Sequence, residues 1–236
     1  MEKLESGAKK LGIHLTDAQL AQFQKYYETL IEWNTRFNLT AITENNAVQV
    51  NHFLDSLTAV YAWQPADSDR VIDIGTGAGL PGIPLKIAFP QISMTLLEAT
   101  GKKSRFLEHA MQAISLTGLE VVNGRAEDIA HQSSHRNKYK VVMVRAVAAL
   151  NTLAELTLPF CQTGGIVIAY KKGNIEQEIT QAQKSIKICG GRIKTVQPVT
   201  LSEFPDNRVL VVIEKITTTP ELYPRRSGIP AKSPLI

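Results

Sequence analysis

The sequence lacks several features that would place it in common protein classes. Its 236 residues include only two cysteines, Cys161 and Cys189, which do not form a C-x-x-C pair. Two cysteines are too few for a disulfide framework or a four-cysteine zinc site. The longest apolar run, residues 141–150, contains Arg145 and is about half of the roughly 20 residues that span a bilayer. We therefore expect a cytoplasmic chain with no metal site and no membrane contact.

The composition is that of a globular protein, with 44% hydrophobic and 20% charged residues. The N-terminus has no apolar stretch typical of a signal peptide. The formal net charge is +4 and the sequence pI is about 9.0. This balance permits a polyanionic partner such as RNA without requiring one.

An N-terminal helical region is predicted for residues 1–66. Thr16 followed by Gln19 is a capping-box signature, and apolar residues then recur at helical spacing to about Phe37. A second helix is predicted from about Ala47 to Ala62. The turn-rich residues 64–69 close the region.

Residues 67–215 alternate short apolar runs with amphipathic stretches, which is typical of parallel strands joined by crossover helices. Only turn-like residues separate the last two strands, so we expect these strands to pair antiparallel. The predicted fold class is α/β: a doubly wound, mostly parallel seven-stranded sheet of the S-adenosylmethionine-dependent methyltransferase (Rossmann-like) type, with its last strand antiparallel. Strand spacing alone leaves a dehydrogenase open. The predicted strands are residues 70–74, 92–97, 119–123, 141–144, 165–170, 192–199 and 208–214, and the predicted helices are residues 83–89, 102–117, 151–159 and 175–189.

The last residues, 216–236, differ from the rest in composition. They hold four of the eleven prolines together with Arg225, Arg226 and Lys232, and they show no apolar period. This composition predicts a basic arm that is mobile or lies along the surface. The chain is thus divided into a helical cap (1–66), a cofactor-binding domain (67–215) and a basic C-terminal arm (216–236).

The strongest local signal is the glycine-rich stretch after the first predicted strand. Its glycines allow a tight turn and a close approach to a ligand, and Asp73 places a carboxylate beside them. In the spacing Gly75-x-Gly77-x-Gly79, Leu80 stands where the dinucleotide fingerprint G-x-G-x-x-G has its third glycine. A pyrophosphate needs the free amino end of the helix, whereas the methionine zwitterion of S-adenosylmethionine can also use a carboxylate. The loop therefore favours S-adenosylmethionine.

Two further strand ends carry candidate cofactor residues. Glu98 ends the second strand, where a carboxylate can accept hydrogen bonds from both ribose hydroxyls. A solvated acid is the alternative at that place. Ala126 and Glu127 follow the third strand, where their backbone groups could bind the amino edge of adenine. Glu127 suits the first turn of a helix equally well.

Arg145 ends the fourth predicted strand inside an apolar run. A charge there costs several kcal/mol unless it is paired or faces a cavity. Its place at the switch point of the sheet favours a cavity. The strand is followed by neither an Asp-Pro-Pro-Tyr nor an Asn-Pro-Pro-Tyr turn, and neither cysteine is placed for covalent attack. No catalytic acid, base or nucleophile is identified, and Arg145 is a candidate for positioning the substrate.

Several basic residues would flank the carboxyl ends of the strands in a sheet of this order. We expect them to form a positive rim that binds RNA phosphates, although any one lysine could simply be a solvated charge. The expected RNA-binding residues are Lys102, Lys103, Arg145, Lys171, Lys172, Arg208, Arg225 and Arg226.

The sequence resembles the bacterial ribosomal RNA small subunit methyltransferase G family, also called glucose-inhibited division protein B. The resemblance extends from about Leu15 to Leu235, and the Leu-Pro-Gly-Ile-Pro extension of the glycine stretch distinguishes it from generic methyltransferases. The motifs that carry it are Trp33-Asn34 with Asn38-Leu39-Thr40, His52 with Asp55-Ser56-Leu57, residues 73–84, Gly101-Lys102-Lys103 with Phe106-Leu107, Gly124-Arg125-Ala126-Glu127, Arg145-Ala146-Val147 and Tyr223-Pro224-Arg225-Arg226.

The resemblance implies methyl transfer from S-adenosylmethionine to ring nitrogen 7 of a guanine in the decoding-region loop of 16S ribosomal RNA. Free RNA, an assembly intermediate and the whole small subunit all stay open as substrates, and we expect a monomer. The N-terminal helices resemble the family's cap, with simple helix packing as an equal alternative. The resemblance assigns cofactor contacts to Gly75, Leu80, Ala126, Glu127 and Arg145, and the chemistry above adds Asp73, Gly77 and Glu98.

Three other functions compete with this one. A nicotinamide-dependent oxidoreductase requires G-x-G-x-x-G, which Leu80 interrupts, and a Tyr-x-x-x-Lys pair, which the sequence lacks. A non-catalytic RNA-binding module leaves the glycine stretch unexplained. A small-molecule methyltransferase would share the whole cofactor half, and only the basic rim, the arm and the resemblance argue against it.

Overall fold

The structure is a computed structural model that describes residues 1–235. The strands within these residues are β1 (Arg70–Ile74), β2 (Ser93–Glu98), β3 (Leu119–Asn123), β4 (Tyr139–Arg145), β5 (Cys161–Lys172), β6 (Gly191–Val199) and β7 (Arg208–Lys215). They form one sheet in the order β3-β2-β1-β4-β5-β7-β6. β7 runs antiparallel to its neighbours β5 and β6, and the other strands run parallel to one another. The predicted topology is confirmed.

The predicted helices lie close to their predicted places, and three further helices occur: one before residue 16, a short one after β3 and a short one in the C-terminal arm. The N-terminal helix was not predicted, although Leu4 and Ala8 form its buried face. The next helix begins at the predicted capping box, where the Thr16 amide donates to Gln19 Oε1 at 2.9 Å. The α-helices of residues 1–235 are α1 (Glu2–Lys10), α2 (Asp17–Asn34), α3 (Asn45–Val48), α4 (Asp55–Leu57), α5 (Gly82–Ala88), α6 (Gly101–Ala113), α7 (Ala126–Ile129), α8 (Leu150–Thr157), α9 (Glu176–Ile188) and α10 (Ile229–Lys232).

The second predicted N-terminal helix is a composite of several helix types. A π-helical turn, Gln49–Leu54, joins α3 to α4, and a 3-10 turn, Thr58–Tyr61, follows. Residues 45–61 therefore form one continuous stretch, which we call the cap helix. π-turns are uncommon and occur frequently at functional sites.

Helices cover both faces of the sheet. One hydrophobic core contains Val71, Leu96 and Met143 together with apolar residues of the N-terminal helices, α5 and α6. The opposite core contains the alternate strand residues, such as Ile72 and Val142, together with α8 and α9. Strand side chains alternate between faces, so both layers form only if the strands are apolar throughout. The N-terminal helices thus share a core with the sheet.

The described part of the C-terminal arm, residues 216–235, lies against the rest of the protein. It crosses the outer side of α8, with α10 near its end, and Pro230 is buried. The sequence predicts an arm that is mobile or lies along the surface, and in the structure the arm lies along the surface. No helix within residues 1–235 has the length and apolar character needed to cross a bilayer.

Candidate active site

The chain forms a glycine loop, residues 75–82, at the carboxyl end of β1. Gly75, Gly77 and Gly79 have φ of +66°, +62° and +88°, in the left-handed region that residues with a side chain rarely adopt. A Cβ placed on Gly77 would meet nothing closer than the Gly75 carbonyl oxygen at 4.0 Å. The loop backbone at Gly77 is therefore open to a ligand.

Asp73 organises the glycine loop from below. Its side chain is fully buried, and its Oδ2 accepts hydrogen bonds from Thr76 Oγ1 at 2.6 Å and from the Gly82 amide at 2.9 Å. Its Oδ1 is buried and has no hydrogen-bond partner among residues 1–235. Burial raises the pKa of Asp73 to about 6. An unpartnered carboxylate oxygen under an open loop fits a ligand that brings positive charge, such as the ammonium group of a methionine moiety.

Glu98 joins the end of β2 to the glycine loop. Its Oε2 accepts a hydrogen bond from the Gly77 amide at 3.0 Å, and its Oε1 accepts one from the Thr100 amide at 2.8 Å. Each carboxylate oxygen has two lone pairs, so each keeps one acceptor site for a ribose hydroxyl. Glu98 is 5% exposed, and its hydrogen bonds leave acceptor capacity for the ribose role.

Two other expected cofactor residues are mostly buried. Leu80 is 7% exposed and its side chain belongs to the hydrophobic core. Its backbone is therefore the part of this loop residue that a ligand could contact. Glu127 lies in α7 after β3, and its Oε1 accepts a hydrogen bond from the Gly228 amide of the arm at 2.9 Å. The backbone of Ala126 and Glu127 remains the part of α7 that can bind a ligand.

Arg145, at the end of β4, is both paired and beside a cavity. Its Nη1 donates to Asp55 Oδ2 at 2.6 Å and to the Asn51 carbonyl at 3.1 Å, both in the cap helix. Its Nη2 lies 3.2 Å from His52 Nδ1. The carboxyl edge of the sheet and the cap helix therefore meet at this guanidinium.

His52 is neutral in this cluster. Burial and the adjacent charge of Arg145 lower the pKa of His52 to about 4. His52 Nδ1 lies between the Arg145 Nη2 at 3.2 Å and the Asn51 carbonyl at 3.1 Å, and its Nε2 lies 2.7 Å from Thr40 Oγ1. The Nε hydrogen of Arg145 and one Nη2 hydrogen have no partner within residues 1–235 and remain free for a substrate.

Arg208 is buried in the same cluster, so the structure does not place it on an exposed rim. Its side chain is 3% exposed, and its Nη1 donates to Asp55 Oδ1 at 2.7 Å. Its Nη2 donates to Asn51 Oδ1 at 2.6 Å, and the guanidinium lies over the Phe204 ring at 3.9 Å. Asp55 thus carries two arginines, one on each carboxylate oxygen.

A cavity of about 360 Å³ opens between the cap helix and the carboxyl edge of the sheet. Arg145 and Tyr170 come from the ends of β4 and β5, and β7 adds Arg208 because its antiparallel direction puts its first residue at that edge. Apolar walls beside these polar groups are typical of a small-molecule or base pocket. The residues lining it include Ile42, His52, Asp55, Thr58, Val199 and Leu210.

The other basic residues differ in their exposure and in whether an acidic side chain pairs with them. Lys102 and Arg226 are exposed and Lys103 is half-buried. Lys171 is mostly buried and pairs with Glu178 at 2.6 Å, whereas Lys172 is exposed and pairs with Asp206 at 2.6 Å. Arg225 is held by the buried Glu155, with Nη2 to Oε2 at 2.8 Å. The positive rim is therefore smaller than expected, because Arg208 and Arg225 serve internal pairs.

Several residues of the site had no assigned role in the sequence. Asn51 and Thr40 hold Arg208 and His52, and Glu155 anchors the arm. One family motif has a local explanation, since Asn34 Oδ1 caps the loop after α2 by accepting from the amides of Leu39 and Thr40 at 2.7 and 2.9 Å. The one feature of the sequence that could have identified Asn51 as a site residue is its position directly before His52.

The sheet order and the acid-flanked glycine loop define the class of S-adenosylmethionine-dependent methyltransferases. The same fold occurs in M. jannaschii TYW2 in complex with AdoMet, with a TM-score of 0.53 and 15% identity over 68% of this chain and 75% of that one. It also occurs in MtNAS in complex with MTA and tNA, with a TM-score of 0.58 and 14% identity over 81% of this chain and 69% of that one.

Sequence comparison identifies the family. The family model for rRNA small subunit methyltransferase G matches residues 19–205. The ribosomal RNA small subunit methyltransferase G of Dehalococcoides mccartyi strain CBDB1 is 52% identical over the full length of both chains. The protein of that name from Alkaliphilus metalliredigens is 42% identical over 98% of this chain and 97% of its own. The chain belongs to the rRNA small subunit methyltransferase G family.

Proposed function

We propose that this chain transfers a methyl group from S-adenosylmethionine to ring nitrogen 7 of a guanine in the decoding-region loop of 16S ribosomal RNA. The transfer is direct and in line, with no covalent enzyme intermediate. The observation that carries the proposal is the position of the Arg145 cavity, which lies one strand from the glycine loop along the same edge of the sheet. A cofactor on the loop and a base in the cavity would be neighbours.

The cofactor half uses residues already close together. Asp73 supplies negative charge beneath the glycine loop, Gly77 supplies an open backbone, and Glu98 keeps free acceptor sites for the ribose. Ala126 and Glu127 supply backbone groups for the adenine edge. S-adenosylmethionine brings a methyl group on a positively charged sulfur, which makes that carbon an electrophile.

The acceptor half needs no general base. Guanine nitrogen 7 carries an in-plane lone pair and no proton, so it can attack directly. The residues of the chain must orient the base, which can contribute several kcal/mol to lowering the barrier. Guanine oxygen 6 lies beside nitrogen 7 as a second acceptor, and the two free hydrogens of Arg145 suit it. Tyr170, which lines the cavity, is a candidate for stacking on the base, and Phe37 and Phe204 are two others outside the cavity lining.

Outside the pocket, the RNA would contact fewer basic side chains than the sequence predicts. Lys102, Lys103, Lys172 and Arg226 lie on or near the surface, where phosphates can reach them. A base in folded RNA has to be presented from a loop or turned out of its stack to enter the cavity. We further propose that the protein acts as a monomer in the cytoplasm on the small subunit or its RNA.

Labelled methyl groups test the reaction. Small ribosomal subunits from cells that lack this modification are incubated with the protein and labelled S-adenosylmethionine, and the RNA is then digested to nucleosides. We expect label in 7-methylguanosine from 16S RNA. Cofactor binding without label in subunits or stripped RNA would instead assign the cavity to a different acceptor.

The charge of Asp73 is expected to control cofactor affinity. Because burial raises its pKa to about 6, the carboxylate is ionised at pH 7.5 and mostly protonated at pH 5. Affinity for S-adenosylhomocysteine, whose ammonium group favours the ionised form, should fall about tenfold between these pH values. Isothermal titration calorimetry measures this change.

Asp73→Asn is the matched variant for this test. Its amide oxygen can still accept from Thr76 and Gly82, while an uncharged NH2 group replaces the unpartnered oxygen. The variant should bind weakly at both pH values. An equal pH response in both proteins would show that another group is responsible.

A further inference from the structure

The C-terminal arm is attached to the segment that follows β3 through several polar contacts. The Gly228 amide donates to Glu127 Oε1 at 2.9 Å, and Ser227 Oγ donates to Asp128 Oδ1 at 3.0 Å. His131 Nε2 lies 2.8 Å from the Pro224 carbonyl. Three residues of one short segment, 127–131, are therefore held by the arm.

The arm itself is fixed by an ion pair between the partly exposed Arg225 and the buried Glu155. Arg225 Nε and Nη2 donate to the two oxygens of Glu155 at 2.9 and 2.8 Å, and the Arg225 amide donates to Glu155 Oε1 at 2.6 Å. Glu155 is fully buried in α8. Arg136 adds hydrogen bonds to the carbonyls of Thr219, Pro220 and Tyr223 at 3.0–3.1 Å. Such bidentate pairing sets the orientation of the arm as well as holding it.

Glu127 links the arm to the cofactor cleft. Its carboxylate is occupied by the arm, while its backbone lies at the end of β3 where the adenine is proposed to bind. α7 is a single turn of four residues, so its own hydrogen bonds give it little rigidity. Its orientation then depends on the groups that hold it from outside.

We propose that the C-terminal arm is a positioning element of the cofactor site, and that it acts through the contact between Gly228 and Glu127. The arm places α7 so that its backbone meets the adenine edge, and the Arg225 to Glu155 pair keeps the arm in register. This inference rests on the proposed function, because it needs a cofactor at this cleft.

The test measures the dissociation constant of S-adenosylhomocysteine by calorimetry, with the full chain and its variants. Glu127→Ala removes the acceptor and Arg225→Met removes the anchor, and each should weaken binding about tenfold. Glu127→Gln keeps an acceptor oxygen for the Gly228 amide and should recover part of the affinity that Glu127→Ala loses. The KM for S-adenosylmethionine should rise in parallel, with kcat at saturating cofactor nearly unchanged.

Arg192→Met is the matched control. Arg192 pairs with Glu214 at 2.8 Å on the edge strand β6, away from the cleft, so its loss should leave cofactor binding unchanged. Wild-type binding by Glu127→Ala, even with a lower melting temperature, would overturn the proposal and leave the arm a purely stabilising role. If Arg225→Met fails to fold, the Glu127 pair of variants decides alone. Failure of the wild type itself to bind would contradict the proposed function rather than the role of the arm.

Discussion

Replacing Asp55 with alanine is expected to lower the free energy of unfolding by about 3–5 kcal/mol, because it leaves buried positive charge without its partner. Asp55 is 6% exposed, and its two oxygens accept from Arg145 at 2.6 Å and from Arg208 at 2.7 Å. The side chains of these arginines are 16% and 3% exposed. Urea unfolding at pH 7, followed by circular dichroism, measures the change.

Two variants separate this effect from a general loss of surface charge. Asp55→Asn keeps an acceptor oxygen and should cost less than the alanine variant. Asp206→Ala removes the other carboxylate that pairs with Arg208, but that side chain is 37% exposed. Its loss should cost about 1 kcal/mol or less. Equal costs for Asp55→Ala and Asp206→Ala would mean that the buried cluster does not stabilise the contact between cap and sheet.

Replacing Arg145 with methionine is expected to lower kcat about 100-fold, because it removes the donor that we propose orients the guanine. The loss of stability should be smaller than for Asp55→Ala, since Asp55 keeps its pair with Arg208. Single-turnover methylation of small subunits measures the rate. Arg145→Lys should recover only part of it, because an ammonium group cannot reproduce the forked contacts to Asp55 and Asn51.

Lys140→Met provides the control on the same strand. Lys140 lies at the opposite end of β4 and pairs with Asp69 at 2.8 Å, with its own side chain 51% exposed. Its replacement should leave the methylation rate unchanged. Separate titrations with S-adenosylhomocysteine and with RNA locate the defect in Arg145→Met. Loss of cofactor affinity with RNA affinity retained would place Arg145 on the cofactor side instead.

The parts of the fold that follow from local patterns were predicted well. The parallel strands are short apolar runs because both faces are covered, and the helices between them indicated parallel crossover connections. The capping box at Thr16 was predicted because its two hydrogen bonds lie within four residues. The first helix, α1, was missed because only its Leu4, Gly7 and Ala8 are buried, a weak pattern among many charges.

The residues of the candidate site could be singled out from the sequence where they end apolar strands, but their long-range contacts could not. Asp73 and Glu98 stand out because each is an acidic residue at the carboxyl end of an apolar strand. Arg208 lies 153 residues from Asp55 along the chain, and no local pattern reports a pair of that separation. The same holds for Arg225 and Glu155, 70 residues apart. Basic residues were therefore assigned to RNA although two of them complete the fold.

The antiparallel β7 has a consequence for the order in which a nascent chain acquires its parts. The glycine loop, Glu98 and α7 all lie before residue 130, so they leave the ribosome early. Arg208 emerges much later. Chains are made from the N-terminus at about 5–20 residues per second, so the pocket wall from β7 arrives seconds after the loop. A chain cut short before residue 208 would keep the loop and lose one wall of the pocket. The cavity proposed to hold the base is therefore complete only after β7 has been made.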